Sequence, residues 1–489
     1  MRESQPFSSA AHARTSALTR REALAGGMGF SAILLALPAL AQPRAPGQGM
    51  VLKLRAEAIT AKLGDSAVES RLFRLVAPEM KHESPASFPV FRFREGEAFS
   101  LEIENQLAQP VSFHIRGLRG PSSEDGVAGL TGAPIAPGAK GLVRCDARQS
   151  GTFILQPAFA DHVPEQVARG LCAAVIIEEK SPPAFDEDLV LAVGDWRVNE
   201  AGALAEEFLA LPDAARVGRL GNRLSANYAP APLERRVKPG ARLRIRMINV
   251  SNARMIPIRI DGFAAEVYAI DSTPCQPFDP LKRTVVLAPA SRIEMALQAP
   301  GEAGKSGAIE AKLASNLPIM RLTTHGESMP ARTKPAPLPD PGLPPAIRLQ
   351  DAVRADMVIT GGVGLDPAEA EPGKLAARFP DPRRIYQING RNDGFAGKPL
   401  ASLKRGRVFV LALHNKTAWP QVIAVHGHAF RLLHPFDDGW EPYFLDNLYL
   451  APNTVSRIAL IADNPGKWAI RASIAEHFAA GVASWFEVT

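Results

Sequence analysis

"KRGRVFVLALHN" runs from Lys404 to Asn415, with Gly406 nine residues before Asn415. Between them Val408, Val410 and Ala412 alternate with Phe409, Leu411 and Leu413, the period of a β-strand. The spacing recurs twice. In "REGEAFSLEIEN", Gly96 precedes Asn105, with Phe99, Leu101 and Ile103 on one face. In "KPGARLRIRMIN", Gly240 precedes Asn249, with Leu243, Ile245 and Met247 on one face. An Ala-Pro step follows each copy: Ala136–Pro137, Ala288–Pro289 and Ala451–Pro452. A single strand pattern is common; the same spaced pattern three times points to one domain used three times.

Short alternating runs separated by turn residues favour antiparallel sandwiches or barrels over helical folds. "SMPARTKPAPLPDPGLPPA" (residues 328–346) reads as an extended, semi-rigid linker between the second and third units. "AGALAEEFLAL" (Ala201 to Leu211) is the candidate for a short helix. Arg235, Arg236, Arg242, Arg244 and Arg246 look like a basic cluster. The last three alternate with Leu243, Ile245 and Met247, which reads as the solvated face of a half-buried strand.

The first forty or so residues read as a targeting segment. Arg20 and Arg21 precede an apolar run from Ala23 to Leu40, and Ala39–Ala41 offers small residues for cleavage. This is the pattern of a twin-arginine export signal (residues 1–41), which predicts a periplasmic mature protein. The run is too short and too rich in Gly and Ala for a membrane span. The segment carries four Arg and two acids, so the formal net charge of +6 falls to +4 without it. That balance does not argue for nucleic acid. Cys145, Cys172 and Cys275 allow one disulfide and a free thiol but no disulfide framework. A monomer is expected.

Signals for other chemistry are weak. "GEAGKSG" (Gly301 to Gly307) lacks the earlier glycine of a phosphate loop, and "GGVGLDP" (Gly361 to Pro367) lacks the third glycine of a dinucleotide turn. There is no Gly-x-Ser-x-Gly elbow.

Five stretches carry a resemblance: "SFHIRGLRG" (112–120), "QSGTFILQPAF" (149–159), "DHVPEQVARGLCAAVIIEE" (161–179), "TAWPQVIAVHGHAF" (417–430) and "ADNPGKWAIRASIAEHFAAG" (462–481). "DLVLAVGDWRVNEAG" (188–202) and "MINVSNARMIPIRIDG" (247–262) add to it. Together they resemble the laccase-type multicopper oxidases. The resemblance implies an all-β chain of three consecutive cupredoxin-like Greek-key sandwich or barrel domains, at 50–180, 185–327 and 347–489, with the linker at 328–346.

The resemblance also implies where copper ligands should stand. The blue-copper positions fall on Gln421, Ala472 and His477, with Val482 at the axial place. The trinuclear positions fall on His114, Arg116, Gln156, Ala158, Ala424, His426, Arg471 and Ser473. His114, His426 and His477 are therefore remnant ligand positions, and the other eight are lost ones. The family's full set takes about ten histidines. Here one of the ten histidines, His12, lies in the targeting segment, so the set cannot be assembled. His426 and His428 are spaced to face one side of a strand, which would make a weak two-imidazole site. Asp125 matches an acidic residue kept beside the family's cluster. Either Arg116 or Arg471 pairs with it in a polar plug joining the first and third domains, or both arginines point to solvent through a collapsed or open channel.

These readings predict a copper-free protein that acts by binding or scaffolding, with no cofactor. Its partner would be a periplasmic protein or a small molecule. In ligand loss and export route it is similar to the copper-free family members that support cell division. The alternatives are an oxidoreductase with residual copper and a small-molecule-binding accessory protein.

Overall fold

Each of the three Gly-to-Asn stretches forms a central strand of a sheet. In a computed structural model, which describes residues 49–489 apart from 65, 81–86, 345 and 438, the flanking pattern repeats each time. Leu101 lies between Leu52 of the parallel strand Met50–Lys62 and Val143 of the antiparallel strand Lys140–Asp146. Ile245 lies between Leu189 of the parallel strand Glu187–Trp196 and Met295 of the antiparallel strand Arg292–Gln298. Leu411 lies between Ala355 of the parallel strand Val353–Gly361 and Ile458 of the antiparallel strand Thr454–Ile461. Parallel neighbours cannot be joined by a tight hairpin, so the chain must cross to a second sheet and back. The result is all-β: three successive pairs of sheets. Apolar side chains fill each pair, with Leu101 and Phe153 in the first, Ile245 and Ile309 in the second, and Leu411 and Phe486 in the third.

The spaced glycine and asparagine have physical reasons. Gly96, Gly240 and Gly406 have φ of 89°, 74° and 83°, which an L side chain resists. Asn105, Asn249 and Asn415 are fully buried. Each accepts the backbone N–H two residues on, and each donates its amide to the carbonyl just before the Ala-Pro step: Ile135, Leu287 and Leu450. The two landmarks that recur in sequence thus meet in space, closing off the strand end with satisfied polar groups.

Two expectations are corrected. Arg242, Arg244 and Arg246 do alternate with apolar residues, but their face is buried, not solvated. The first sheet pair covers it. Arg244 is held by Glu179 and Glu294, and Arg246 by Asp188, Glu294 and Thr152. Ala201–Leu211 is not helical; a short helix begins at Leu211 and ends at Ala214. The segment's carbonyls at Ala205 and Glu207 are satisfied instead by the Arg219 side chain. The pairing of the three cysteines, left open by the sequence, is answered by three free thiols.

Residues 328–346 carry neither helix nor strand where described. They lie along the body, with the Pro335 carbonyl accepting from Tyr268 and the Pro341 carbonyl from Arg119. The expected export signal, residues 1–41, lies outside the described residues. No helix among those described is long and apolar enough to cross a membrane.

Candidate functional site

Two strand pairs from different sheet pairs face each other across the first and third units. Phe113–Arg116 pairs with Gly151–Pro157, setting His114 opposite Gln156. Gln421–Val425 pairs with Gly466–Ala472, setting Ala424 opposite Arg471. Alternation places His114 with Arg116 on one face and Arg471 with Ser473 on another. The loop after Ser122–Glu124 brings in Asp125. Gly126 makes that approach feasible, because a Cβ there would lie 1.9 Å from the Phe113 carbonyl.

The imidazoles of His114 and His426 stack with centroids 3.7 Å apart and planes 11° apart. Asp125 bridges them: Oδ1 lies 3.0 Å from His114 Nδ1, and Oδ2 lies 3.0 Å from His426 Nδ1. His114 Nδ1 also faces the Asp125 carbonyl at 3.0 Å, so it must carry the proton. His426 Nε2 accepts from Arg471 Nε at 3.2 Å, so its proton is also on Nδ1. Both rings are neutral donors to one carboxylate. Burial pushes both imidazoles below their ordinary value, His426 the further, with Arg471 adding to each. Burial works against ionisation of Asp125, yet its two imidazole partners hold it well below the usual carboxylate range.

Behind this stack lie two guanidinium groups. Oriented by its partners, the Gln156 amide oxygen accepts from Arg116 Nη2 at 2.6 Å and from Arg471 Nη2 at 3.0 Å. Burial pushes Arg116 down to about 10, with Asp446 opposing, so it stays charged at neutral pH. The expected plug residues Arg116, Arg471 and Asp125 are thus brought into one buried cluster, with different wiring. Among the described residues neither arginine pairs directly with Asp125; imidazoles take both of its oxygens. One link of this junction had no sequence signal. Arg292 Nη1 donates to Asp446 Oδ1 at 3.0 Å, packed against Gly117 and joining the second and third sheet pairs.

The other expected positions also gather. His477 Nδ1 lies 2.8 Å from Gln421 Oε1, and its Nε2 lies 2.8 Å from the Arg216 carbonyl. Burial lowers this imidazole to about 4. Ala472 and Val482 complete the group, fully buried, with Ala472 N–H donating to the Val482 carbonyl. Ala158 packs with Val127 and Ala469 in a small apolar cluster. Ser473 donates to Asn447 Oδ1 at 2.7 Å.

His428 does not join His426. The strand ends at Val425, and Gly427 at φ 66° turns the chain. His428 therefore packs against Trp468 and Phe486 instead. Among the described residues, His114, Asp125 and His426 bring their ligand atoms within 4.8 Å of one another.

Comparison with known proteins agrees with the fold. Two family models, each described as multicopper oxidase, match residues 83–182 and 366–489. The multicopper oxidase MmcO of Mycobacterium tuberculosis is 23% identical over 431 residues, covering 81% of this chain and 80% of that protein. Laccase-1 of Botryotinia fuckeliana is 24% identical, covering 80% of this chain and 75% of that protein. A multi-copper oxidase from Pseudomonas thermotolerans superposes with a TM-score of 0.76 at 25% identity, over 90% of this chain and 99% of its own. On the matched segments, the three sheet pairs and the shared architecture, the chain belongs to the multicopper oxidase family.

Proposed function

We propose that this chain is a copper-free, periplasmic member of the family that acts by binding a partner, its buried polar cluster holding the sheet pairs together in place of metal. One observation carries the reading: the position of the blue-copper thiolate holds the buried methyl of Ala472. Blue copper needs a thiolate with two imidazoles, and a methyl group offers neither charge nor lone pair. Here one imidazole, His477, stands beside an amide, Gln421.

The residues at the cluster do not fit copper either. Asp125 engages Nδ1 of both stacked imidazoles, and Arg471 occupies the lone pair of His426 Nε2. Two guanidinium groups add fixed positive charge where a cation would sit.

A second reading, an oxidoreductase with residual copper, is favoured by one atom. His114 Nε2 is buried and has no hydrogen-bond partner among the described residues. One experiment separates the two readings. Protein exported in copper-supplemented medium is measured for metal content, for the thiolate-to-copper absorption band, and for oxygen uptake with a phenolic substrate. The expected result is substoichiometric copper, no band and no turnover. Stoichiometric copper with oxygen-linked turnover would overturn the proposal. Fractionation of the producing cells tests the location.

A further inference from the structure

Arg119 stands at the fork of two clefts. The larger, about 600 Å³, runs between the first and third sheet pairs and is lined by Arg119, Ser122, Arg148, Asn464 and Lys467. The smaller, about 190 Å³, runs toward the linker and is lined by Arg119, Arg148, Gln149, Thr273 and Asp340. Arg119 and Arg148 line both.

The way Arg119 is held points to a ligand. Its Nε donates to Gln149 Oε1, and its Nη2 donates to the Pro341 carbonyl at 3.2 Å. Gln149 is fixed in turn, donating to the Gly117 carbonyl at 2.9 Å. These partners are neutral. They orient the guanidinium without cancelling its charge, unlike the carboxylates that hold Arg244 and Arg246. Among the described residues no carboxylate lies within ion-pair distance of Arg119. The acid that acts on it, Asp463, is exposed and sits 3.8 Å from His428. Partial burial raises the worth of such a charge, and fixing its plane in advance lowers the entropy lost on binding.

The walls are also fixed. Ser122 Oγ donates to the Lys467 carbonyl at 2.7 Å, and Asn464 donates to the Gly120 carbonyl at 2.9 Å, so both sides of the larger cleft are pinned together. Its rim carries Arg148 and Lys467. Arg148 has one exposed partner, Asp146, and Lys467 lies over the Trp485 ring. No acid lines this cleft. In size it falls within the usual range of small-molecule sites, about 300–1,000 Å³. The smaller arm carries Glu95 and Asp340 and so suits a neutral or hydroxylated portion of a ligand.

We propose that this forked cleft binds a phosphorylated small molecule, Arg119 holding the phosphate through its planar donor fork with Arg148 and Lys467 flanking it. The proposal deepens the binding reading above by naming a ligand class. A guanidinium matches phosphate bidentately, and two further cations suit a group of more than one charge.

The test is calorimetric titration of the full exported protein with pyrophosphate, beside citrate as a polycarboxylate and maltose as a neutral sugar. Saturable pyrophosphate binding that weakens as salt rises is expected. Arg119→Gln should weaken it roughly tenfold or more, the loss of a charge-assisted contact. The exposed variants Arg148→Ala and Lys467→Ala carry little risk to folding and should each weaken it several-fold. No pyrophosphate binding, equal binding of citrate, or binding unchanged in all three variants would overturn the proposal. Copper content does not enter these readouts, so failure of the copper-free reading would be seen separately.

Discussion

Arg471 donates its Nε–H to His426 Nε2 at 3.2 Å, occupying the imidazole lone pair that a metal would need. The ring's other nitrogen donates to Asp125, so His426 is spent as a relay between a cation and an anion. The stacked His114 donates to the same carboxylate, but its Nε2, like Arg116 Nη1, has no hydrogen-bond partner among the described residues, so the junction is wired through His426.

The first prediction concerns Asp125. It is the carboxylate facing both imidazoles, and each ring presents a protonated Nδ1 to it. Asp125→Ala would leave two buried donors and the nearby guanidinium charge unanswered. Breaking such a buried arrangement costs about 3–5 kcal/mol. Denaturant unfolding should show that loss, with Asp125→Asn milder because its amide oxygen still accepts. Unchanged stability in Asp125→Ala would mean the junction does not hold the sheet pairs together.

Stability should fall in mild acid. Burial lowers the imidazoles of His114, His426, His428 and His477, the last two to about 4. In the unfolded chain each titrates near 6.5, about where histidine ordinarily does. The unfolded chain therefore binds protons first. The stability these groups contribute is complete above the unfolded value and is lost as pH falls toward the folded ones. Asp271 and Glu476 act in the opposite sense, since burial raises both, Asp271 with the neighbouring Asp446 to about 7. Four imidazoles outweigh two carboxyls at about 1.4 kcal/mol per pH unit for each group. Urea midpoints measured from neutral pH down to about pH 5 should drop steadily; a flat profile would contradict the neutral, buried rings.

These residues also mark how far the sequence could be read. The repeat was legible because glycine and asparagine each answer a local backbone need, and local needs repeat with the domain. The alternation of Arg242, Arg244 and Arg246 was legible too, but not what covers their face. Glu179 and Thr152 come from another sheet pair, and no period in the strand encodes that. The His426–Gly427–His428 spacing misled for the converse reason. It assumed a strand that had already ended, turned by a glycine at positive φ. The residues of the polar junction were legible by position. Their wiring was not, because the choice between arginine and imidazole at Asp125 depends on geometry across two sheet pairs.

A third prediction follows from the covering of that arginine face. Glu294 is fully buried and accepts from Thr152, Arg244 and Arg246. Burial opposes its ionisation, and the two arginines keep it lowered. Glu294→Ala should cost about 3–5 kcal/mol by leaving guanidinium charge short of its partner. Glu294→Gln keeps the acceptor and the volume, so it should cost less. Chemical denaturation of the two variants checks the order, and equal losses would point to packing instead of charge.

The last prediction asks whether the blue-copper position survives as geometry. Gln421 touches His477, and Ala472 is tied by its N–H to the carbonyl of Val482, whose own N–H donates to the His477 carbonyl. All four are fully buried in a rigid core, so the backbone needs no rebuilding. Ala472→Cys adds one sulfur atom, and Gln421→His replaces one planar group by another. The double variant would present one thiolate and two imidazoles, the donors a trigonal copper takes. With Cu(II) it should turn blue, while Ala472→Cys alone should give a weaker or shifted band. Neither should consume oxygen, because Arg116 and Arg471 still fill the neighbouring junction. The measurement is an absorption spectrum with copper titration, followed by oxygen uptake with a phenol. A colourless double variant that folds normally would show that the side chains have lost their convergence as well as their donors.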